Sequence, residues 1–166
     1  TFFHKNQKRG DIKSHHYIIS FDPADTTECG LTGEKAQALC LDFARKNFPG
    51  YQSLIVTHTD GHNGSGNIHT HIVINSVRKY AVDRKDYMDK PHEHEAGFKH
   101  RSTTRFLNHL KKDIMEMCDR EGLHQVDLLS PAPAKITREE YWAKTHGQDQ
   151  MDKTNEKIRA TGLKPA

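Results

Sequence analysis

The alternation of apolar and polar residues predicts three β-strands. The segment 14–21 is rich in isoleucine and aromatic residues, and Pro23 is expected to end it because proline cannot donate to a sheet. Apolar residues also concentrate at 51–58 and at 68–77, on either side of a short polar connection. Two strands joined in this way predict an antiparallel hairpin.

Helical spacing of apolar residues predicts two long helices. Over 32–47 the apolar side chains recur at every third or fourth position, and a Pro-Gly pair follows them. A second stripe runs through 102–121, with a glycine directly after it. The segment 78–99 shows no period and is expected to be a charged connection, with a small hairpin within it as an alternative. The order strand, helix, two strands, helix predicts an α+β fold.

A change of composition near residue 133 predicts a boundary. We expect one domain over 1–133 and a helical arm over 134–166, with a disordered arm as the alternative. A Thr-x-x-Glu capping box predicts a short helix at 137–142, and a second helix is expected from about 149 to 160. The apolar residues of both helices are too sparse for a core position.

Histidines at alternate positions of the third predicted strand are candidate metal ligands. Side chains on a strand alternate between its two faces. One face would therefore carry His69, His71, Val73 and Asn75, and the other Ile68, Thr70, Ile72 and Ile74. His58 ends the preceding strand, and hairpin pairing would bring it to the same patch.

Three imidazoles without a thiolate are typical of an open metal site rather than a closed structural one. Manganese, zinc, nickel or cobalt suits such ligands, and magnesium is a poorer match for nitrogen. The chain has 13 histidines, so a His-x-His spacing can also arise by chance.

Composition excludes several classes of protein. At 166 residues and 19.0 kDa the chain can form a modest core, since 34% of its residues are hydrophobic and its mean hydropathy is −0.87. No apolar run is long enough to cross a bilayer, so membrane insertion is not expected. Three cysteines at unrelated spacings favour a reducing cytoplasm over a disulfide framework. A net charge of +3 permits a nucleic-acid partner without proving one.

The histidine pattern resembles the third signature motif of conjugative relaxases, the mobilisation-protein branch of the HUH endonuclease superfamily. That motif reads His-x-Asp, a gap, His-x-His and an Asn four residues on. Here it corresponds to His58, Asp60, His69, His71 and Asn75. The middle residue, usually hydrophobic, is threonine, and the gap is longer than in compact members. The resemblance covers residues 14–125 and is specific at 58–75.

The resemblance implies a single central antiparallel sheet with helices packed on one face, here lacking its N-terminal elements. It also implies one divalent ion on His58, His69 and His71. Metal-bound imidazoles need orienting partners, and Asp60 and Asn75 are candidates for that role. His16 is a further candidate because the family's corresponding strand often carries a polar residue toward the active site.

The activity implied is nicking of one DNA strand at the transfer origin of a conjugative plasmid or integrative element. In the family a tyrosine attacks the scissile phosphate and stays attached to the 5′ end. No tyrosine of this chain occupies a convincing position, so the nucleophile is expected to precede Thr1. Expected partners are single-stranded or hairpin DNA of the origin, together with accessory relaxosome and coupling proteins.

Four basic residues are candidate DNA contacts: Lys99, Arg101, Arg105 and Lys112. Arg105 and Lys112 share one face of the second long helix, opposite its apolar stripe. A basic helix face is more often simply solvated, so the resemblance, and not the charge, favours this role.

Other functions remain open from the sequence. A rolling-circle replication initiator or a single-strand transposase belongs to the same superfamily. A DNA-binding module with structural histidines and a metal-dependent hydrolase acting on another substrate are alternatives from different classes.

Overall fold

The computed structural model describes residues 3–60, 67–131 and 137–160. The chain divides into two compact units, Thr1–Leu129 and Ser130–Ala166. The first unit contains β1 (Ser14–Ser20), α1 (Pro23–Glu28), α2 (Gly33–Asn47), β2 (Ser53–His58), β3 (His69–Asn75) and α3 (Thr104–Glu121). The second contains α4 (Arg138–Ala160).

The three strands form one antiparallel sheet with β3 in the centre, in the order β1-β3-β2. On one side, β1 pairs with β3 so that Ile18 lies opposite His71. On the other, β2 pairs with β3 so that His58 lies opposite His69. The predicted antiparallel hairpin is confirmed, although residues 61–66 of its connection lie outside the described residues.

Burial along β3 alternates at every residue, as its sequence predicts. Thr70, Ile72 and Ile74 are fully buried, while the alternate residues, His69, His71 and Val73, are partly exposed. The buried side chains pack in one core with residues of α2 and α3, including Phe43 and Phe106. We call this helix-covered side of the sheet the back, and the side that carries the histidines the open face. The predicted α+β fold, a single sheet with helices on one face, is confirmed.

The two helices of the first unit that the sequence predicts, α2 and α3, begin at threonine caps, and α3 ends at a glycine. Thr32 accepts a hydrogen bond from the Lys35 backbone at the start of α2 (3.1 Å), and Thr103 caps α3 in the same way. Gly122 ends α3 in the left-handed conformation, with φ of 66°, which glycine adopts without a steric penalty.

A short helix, α1, corrects the sequence analysis, which predicted only a strand end at Pro23. Asp22 accepts a hydrogen bond from the Ala24 backbone (2.8 Å), and the side chain of Asp25 accepts one from the backbone of Asp22 (3.1 Å). This reciprocal capping box, with proline at the first helical position, suffices to form six residues of helix.

The second unit also differs from the prediction. Two helices were expected there, separated between residues 142 and 149, but α4 is continuous over 23 residues. Gly147 lies inside it. A glycine costs only about 1 kcal/mol relative to alanine in a helix, so the flanking residues maintain the helix through it.

The irregular segment between β3 and α3 is held by a buried arginine. Arg78 donates to the backbone carbonyls of Glu93 (3.2 Å) and Pro49, and its guanidinium lies 4.4 Å from the centroid of the Tyr51 ring. The segment 78–99 is irregular, as predicted, but the small hairpin considered for it does not form, since an isolated bridge between Val77 and Lys99 is the one strand-like pairing there. Among the described residues, no helix is long and apolar enough to cross a membrane.

Candidate metal centre

Three histidines converge at one end of the open face. The ring centroids are 5.3 Å apart for His58 and His69, 5.2 Å for His58 and His71, and 5.1 Å for His69 and His71. The structure therefore brings together the three residues that the sequence analysis singled out as metal ligands. Their role as ligands stays a prediction.

The strand beneath the histidines is fixed from the back of the sheet. The buried hydroxyl of Thr70 pairs with that of Thr57 on β2 (2.7 Å), and Thr57 in turn donates to Gln37 on α2 (2.7 Å). This chain of hydrogen bonds explains why a threonine can stand between the two histidines of β3. It also ties the register of β2 and β3, and hence the approach of His58, to helix α2.

Each of the three imidazoles turns its Nδ1 atom toward another protein group. His71 Nδ1 is 2.7 Å from His16 Nε2, and the two rings are stacked with centroids 4.9 Å apart. His69 Nδ1 lies 3.3 Å from the carbonyl oxygen of Asn67. His58 Nδ1 lies 3.9 Å from the carboxylate of Asp60. In metal sites the second ring nitrogen of a ligand is usually held by a carbonyl, a carboxylate or another acceptor. Here the Nδ1 atoms of His69 and His71 have a partner within hydrogen-bond distance, and that of His58 does not.

The electrostatic environment favours a neutral imidazole at the centre of the group. Desolvation lowers the pKa of His71, and the neighbouring His16, His69 and His58 lower it further because a second positive charge would be repelled. A neutral imidazole is the form that binds a metal ion.

An open cleft of about 700 Å³ surrounds the histidines. Its lining consists of Ile18, Ser20, His58, Asp60, Asn67, His69 and His71. The rings of His58 and His69 are nearly parallel, at 12°. To bind one ion they would have to turn their Nε2 atoms toward a common point, since nitrogen ligands lie about 2.0–2.1 Å from zinc.

The structure places the other predicted site residues differently. Asp60 is in the cleft and is highly exposed, whereas His16 lies on β1 in direct contact with His71. Asn75 faces the same side but stands four residues beyond His71, about 13 Å along the strand. Its side-chain oxygen accepts a hydrogen bond from the backbone of Val77 (3.0 Å), and it does not line the cleft.

The four basic candidates for DNA contact each face a carboxylate. The N–O distances are 3.2 Å for Lys99–Asp11, 3.4 Å for Arg101–Glu93, 3.7 Å for Arg105–Asp89 and 3.7 Å for Lys112–Glu116. Helix α3, which carries Arg105 and Lys112, packs on the back of the sheet. The structure therefore does not bring these residues to the histidines, and their contact with DNA stays a prediction.

No tyrosine whose side chain is described lines the cleft. Tyr17 lies on the back, where its hydroxyl is 2.7 Å from His100 Nε2 and 2.9 Å from Ser102 Oγ. Burial raises the pKa of Tyr51 to about 12. Tyr87 packs on Phe106, with ring centroids 5.2 Å apart. The side chain of Tyr141 lies outside the described residues.

The sequence analysis missed the contribution of β1 to the cleft beyond His16. Asn67 donates to Ser20 Oγ (2.6 Å), which joins the end of β1 to the residue that holds His69. Ile18 also lines the cleft. The signal was present, because His16, Ile18 and Ser20 share one face by alternation, but the pairing of β1 with β3 was not predictable from the pattern.

A second group of potential ligands lies among α1 and the end of α3. Ligand atoms of Asp25, Cys29 and His124 lie within 4.8 Å of one another. These groups already satisfy each other, since the buried Asp25 carboxylate accepts from the backbone of His124 (2.8 Å) and from its Nδ1 (2.9 Å). We interpret the group as a set of hydrogen bonds that holds α1 against the residues after α3.

Comparison with known proteins identifies the family to which the chain is similar. The profile of the MobA/VirD2-like relaxase nuclease domain matches residues 3–123. Two proteins of Staphylococcus aureus, each called Protein rlx, are 30% identical over 118 residues and 31% identical over 116 residues. Each alignment covers 70% of this chain and 29% of the relative, so the chain spans under a third of those proteins. No solved structure matches.

Proposed function

Because the chain belongs to the MobA/VirD2-like relaxase nuclease-domain family, we propose that it is the metal-binding part of a DNA strand transferase. It would nick one strand at the transfer origin of a conjugative plasmid or integrative element. The observation that carries the proposal is the convergence of His58, His69 and His71 on the open face of the sheet.

Relaxases generally use a divalent metal ion. In this chain the Nε2 atoms of His58, His69 and His71 would hold it, because each Nδ1 atom faces another protein group. A cation on neutral imidazoles keeps its charge and open coordination positions, and so stabilises the negative charge of a phosphate. Manganese, zinc, nickel and cobalt match this donor set better than magnesium does.

His16 and Asp60 would act through the ligands and not on the DNA. With Nε2 of His71 as the ligand atom, its Nδ1 carries the proton and donates to His16 Nε2 at 2.7 Å. The carboxylate of Asp60 would accept a hydrogen bond from Nδ1 of His58 after a small movement, since the two atoms are now 3.9 Å apart. Asn75 lies too far along β3 for such a contact in this conformation, so we assign it a role in the turn after the strand.

The reaction itself is a transesterification. The oxygen of a tyrosine hydroxyl forms a bond to phosphorus as the hydroxyl gives up its proton, and the bond from phosphorus to the 3′ oxygen breaks. That oxygen leaves as a 3′ hydroxyl after gaining a proton, so that one proton is released and one is taken up. The protein remains joined to the 5′ phosphate. The described tyrosines do not line the cleft, so the nucleophile in this proposal comes from outside the described residues.

The partners proposed are single-stranded or hairpin DNA of the transfer origin, with accessory relaxosome and coupling proteins. The cleft suits a single strand because it is open and extends over the sheet surface. A phosphate bound near the histidines could contact the cation, while adjoining nucleotides lie across β1 and β2.

Calorimetric titration with Mn²⁺ tests the metal centre. We expect one site per chain, with strongly reduced affinity in His58→Ala, His69→Ala and His71→Ala. Asp60→Ala should reduce affinity less, by about 10- to 100-fold, as changes in orienting groups do. The matched control is Cys29→Ser, which removes a potential ligand from the second group and should bind as the wild type does.

Two results would contradict the ligand assignment. One is wild-type affinity in two of the three histidine variants. The other is loss of binding in Cys29→Ser, which would move the metal to the group at α1. Circular dichroism of each variant establishes that the sheet is intact.

A further inference from the structure

The second group of potential ligands combines a carboxylate, a thiol and an imidazole at one point beside α1. Asp25 and Cys29 are four residues apart, a spacing that brings side chains to the same face of a helix. His124 lies just beyond the end of α3. Its Nδ1 atom is 2.9 Å from Oδ1 of Asp25 and 3.7 Å from Sγ of Cys29. Nitrogen, sulfur and oxygen atoms of these three kinds are the usual zinc ligands of proteins.

The distances within the second group are close to those of a zinc site. In a tetrahedral site with bonds of about 2.0–2.3 Å, neighbouring ligand atoms are about 3.3–3.6 Å apart. The separation of 3.7 Å between the sulfur and nitrogen atoms is close to this range. The oxygen and nitrogen atoms, now 2.9 Å apart because they share a hydrogen bond, would have to separate by about 0.4 Å. Since all three atoms lie within 4.8 Å of one another, small side-chain rotations suffice to surround an ion.

The imidazole and the carboxylate of the second group are each held by a further contact. Nε2 of His124 lies 3.3 Å from the carboxylate of Glu28. Zinc-binding histidines usually donate their second ring N–H to an acceptor of this kind. The carboxylate of Asp25 accepts hydrogen bonds from the backbone of Asp22 (3.1 Å) and of His124 (2.8 Å). The ring is thereby oriented with Nδ1 toward Asp25 and Cys29, and the carboxylate keeps two hydrogen bonds when the proton on Nδ1 is replaced by an ion.

Negative charge and access from solvent also favour a cation at the second group. The carboxylates of Asp25, Glu28 and Asp22 raise the pKa of His124, chiefly through the hydrogen bond with Asp25, so positive charge is stabilised here. Asp25 is fully buried, but the side chain of His124 is 43% exposed, which opens the group to solvent on that side. The thiol of Cys29 is in no disulfide and is therefore available as a ligand.

We propose that Asp25, Cys29 and His124 form a zinc site, with water in the fourth coordination position. When zinc binds, the thiol of Cys29 loses its proton to solvent, and Nδ1 of His124 carries no proton while Nε2 keeps one for Glu28. The hydrogen bonds described above are those of the chain without an ion. Zinc would link α1 to the residues after α3. The proposal does not rest on the proposed function, because these three residues do not line the histidine cleft.

The thiolate makes the second group selective among metal ions. Manganese suits carboxylate and water oxygens, whereas a thiolate favours zinc. Titration with Mn²⁺ should therefore detect the histidine centre alone, while Zn²⁺ should bind at both places. The variant His58→Ala/His69→Ala/His71→Ala, called here the triple-histidine variant, retains only the second group. Calorimetry should show that it binds one Zn²⁺ per chain, and its midpoint of thermal unfolding should rise with Zn²⁺ because the ion binds the folded chain.

Absorption spectra with Co²⁺ identify the ligand. Cobalt bound by a thiolate has a charge-transfer band in the near ultraviolet that imidazole ligands do not produce, so the band should be present in the wild type and absent in Cys29→Ser. In the triple-histidine variant, Cys29→Ser should weaken Zn²⁺ binding by about 100-fold or more, and Glu28→Gln by about 10-fold, as changes in orienting groups do. The matched control is Cys40→Ala, which removes a buried cysteine outside the group and should change neither the band nor the affinity.

Three outcomes would overturn the zinc site. They are no Zn²⁺ binding in the triple-histidine variant, a charge-transfer band that persists in Cys29→Ser, and an equal loss of affinity in Cys40→Ala. Circular dichroism shows whether each variant folds. If Cys29→Ser does not fold, unchanged Zn²⁺ affinity in Glu28→Gln, a substitution at an exposed side chain, would refute the site. Failure of the histidine centre looks different, since the wild type would then bind no Mn²⁺ while the second group still binds Zn²⁺.

Discussion

The pKa of His100 provides a quantitative test of the packing on the back of the sheet. Its half-buried ring lies between two tyrosines, with Nε2 2.7 Å from the hydroxyl of Tyr17 and Nδ1 3.3 Å from that of Tyr51. Desolvation, with smaller contributions from His15 and Arg78, lowers the pKa of His100 to about 3. In the unfolded chain the pKa is close to the ordinary value of about 6.5.

The difference in pKa makes stability depend on pH with a definite sign. Between about pH 6.5 and pH 3 the unfolded chain binds a proton at His100 and the folded chain does not. Acid therefore favours the unfolded state in this range, and the free energy of unfolding falls as the pH falls. From pH 7 to pH 5 the two pKa values correspond to a loss of about 2 kcal/mol.

The perturbation is His100→Gln, which retains a polar side chain but cannot titrate. The variant should be less stable than the wild type at pH 7, because the tyrosine hydroxyls lose a well-placed partner. Its further loss between pH 7 and pH 5 should be smaller than that of the wild type by about 2 kcal/mol. Burial also lowers the pKa values of His15 and His109, and both remain in the variant. The contribution of His109 cancels in the comparison, whereas the ring of His15 lies 4.6 Å from that of His100, so the titration of His15 is followed by NMR in both proteins.

The assay is guanidinium unfolding of both proteins at pH 7 and pH 5, with a chelator present so that metal binding does not contribute. Proton NMR of the His100 ring gives an independent reading, since the ring should stay neutral down to pH 5. An equal loss of stability in both proteins, or a His100 titration near pH 6.5, would refute the reasoning.

Two further predictions concern DNA. The sequence-based prediction for the basic helix face is that Arg105→Ala/Lys112→Ala makes the slope of log K against log salt shallower by one to two contacts, at about 0.7 per phosphate of a single strand; an unchanged slope would remove α3 from the interface. This chain is expected to bind a labelled transfer-origin oligonucleotide in the presence of Mn²⁺, and a denaturing gel should show no protein-linked 5′ product. A linked product would redirect attention to Tyr17 and Tyr87.

The histidine site could be predicted because it depends on local alternation. In 68–75 the residues at every second position are Ile, Thr, Ile and Ile, so burial of the three isoleucines fixes the face on which His69 and His71 stand. His58 followed from the hairpin, since a short connection forces the ends of the two strands together. The fold class also followed from the order of the elements, because an amphipathic helix and a one-sided strand have few ways to bury their apolar faces.

Features that depend on non-local pairing or on very short elements could not be predicted. The contact of His16 with His71 requires the register of β1 on β3, across 55 residues of sequence. Helix α1 is too short to show a period, although its Asp-Pro-x-Asp capping box was visible. The ion pairs of Lys99 and Arg105 were equally hidden, because Asp11 and Asp89 are distant or irregularly placed in the sequence, whereas the pair of Lys112 with Glu116 has the spacing of neighbours on a helix.

The sheet separates the hydroxyl group of Tyr17 from the histidines, and this separation limits what Tyr17 can do. Tyr17 precedes Ile18 on β1, so alternation alone puts its ring on the opposite side from His16 and His71. Its hydroxyl is already shared between His100 and Ser102, and burial raises its pKa. To attack a phosphate at the histidines it would have to pass through the sheet, which would break the β1–β3 pairing that brings His16 to His71. The same pairing that brings His16 to His71 thus keeps Tyr17 away from the three histidines, and the proposed chemistry requires a hydroxyl that approaches the open face from outside the described residues.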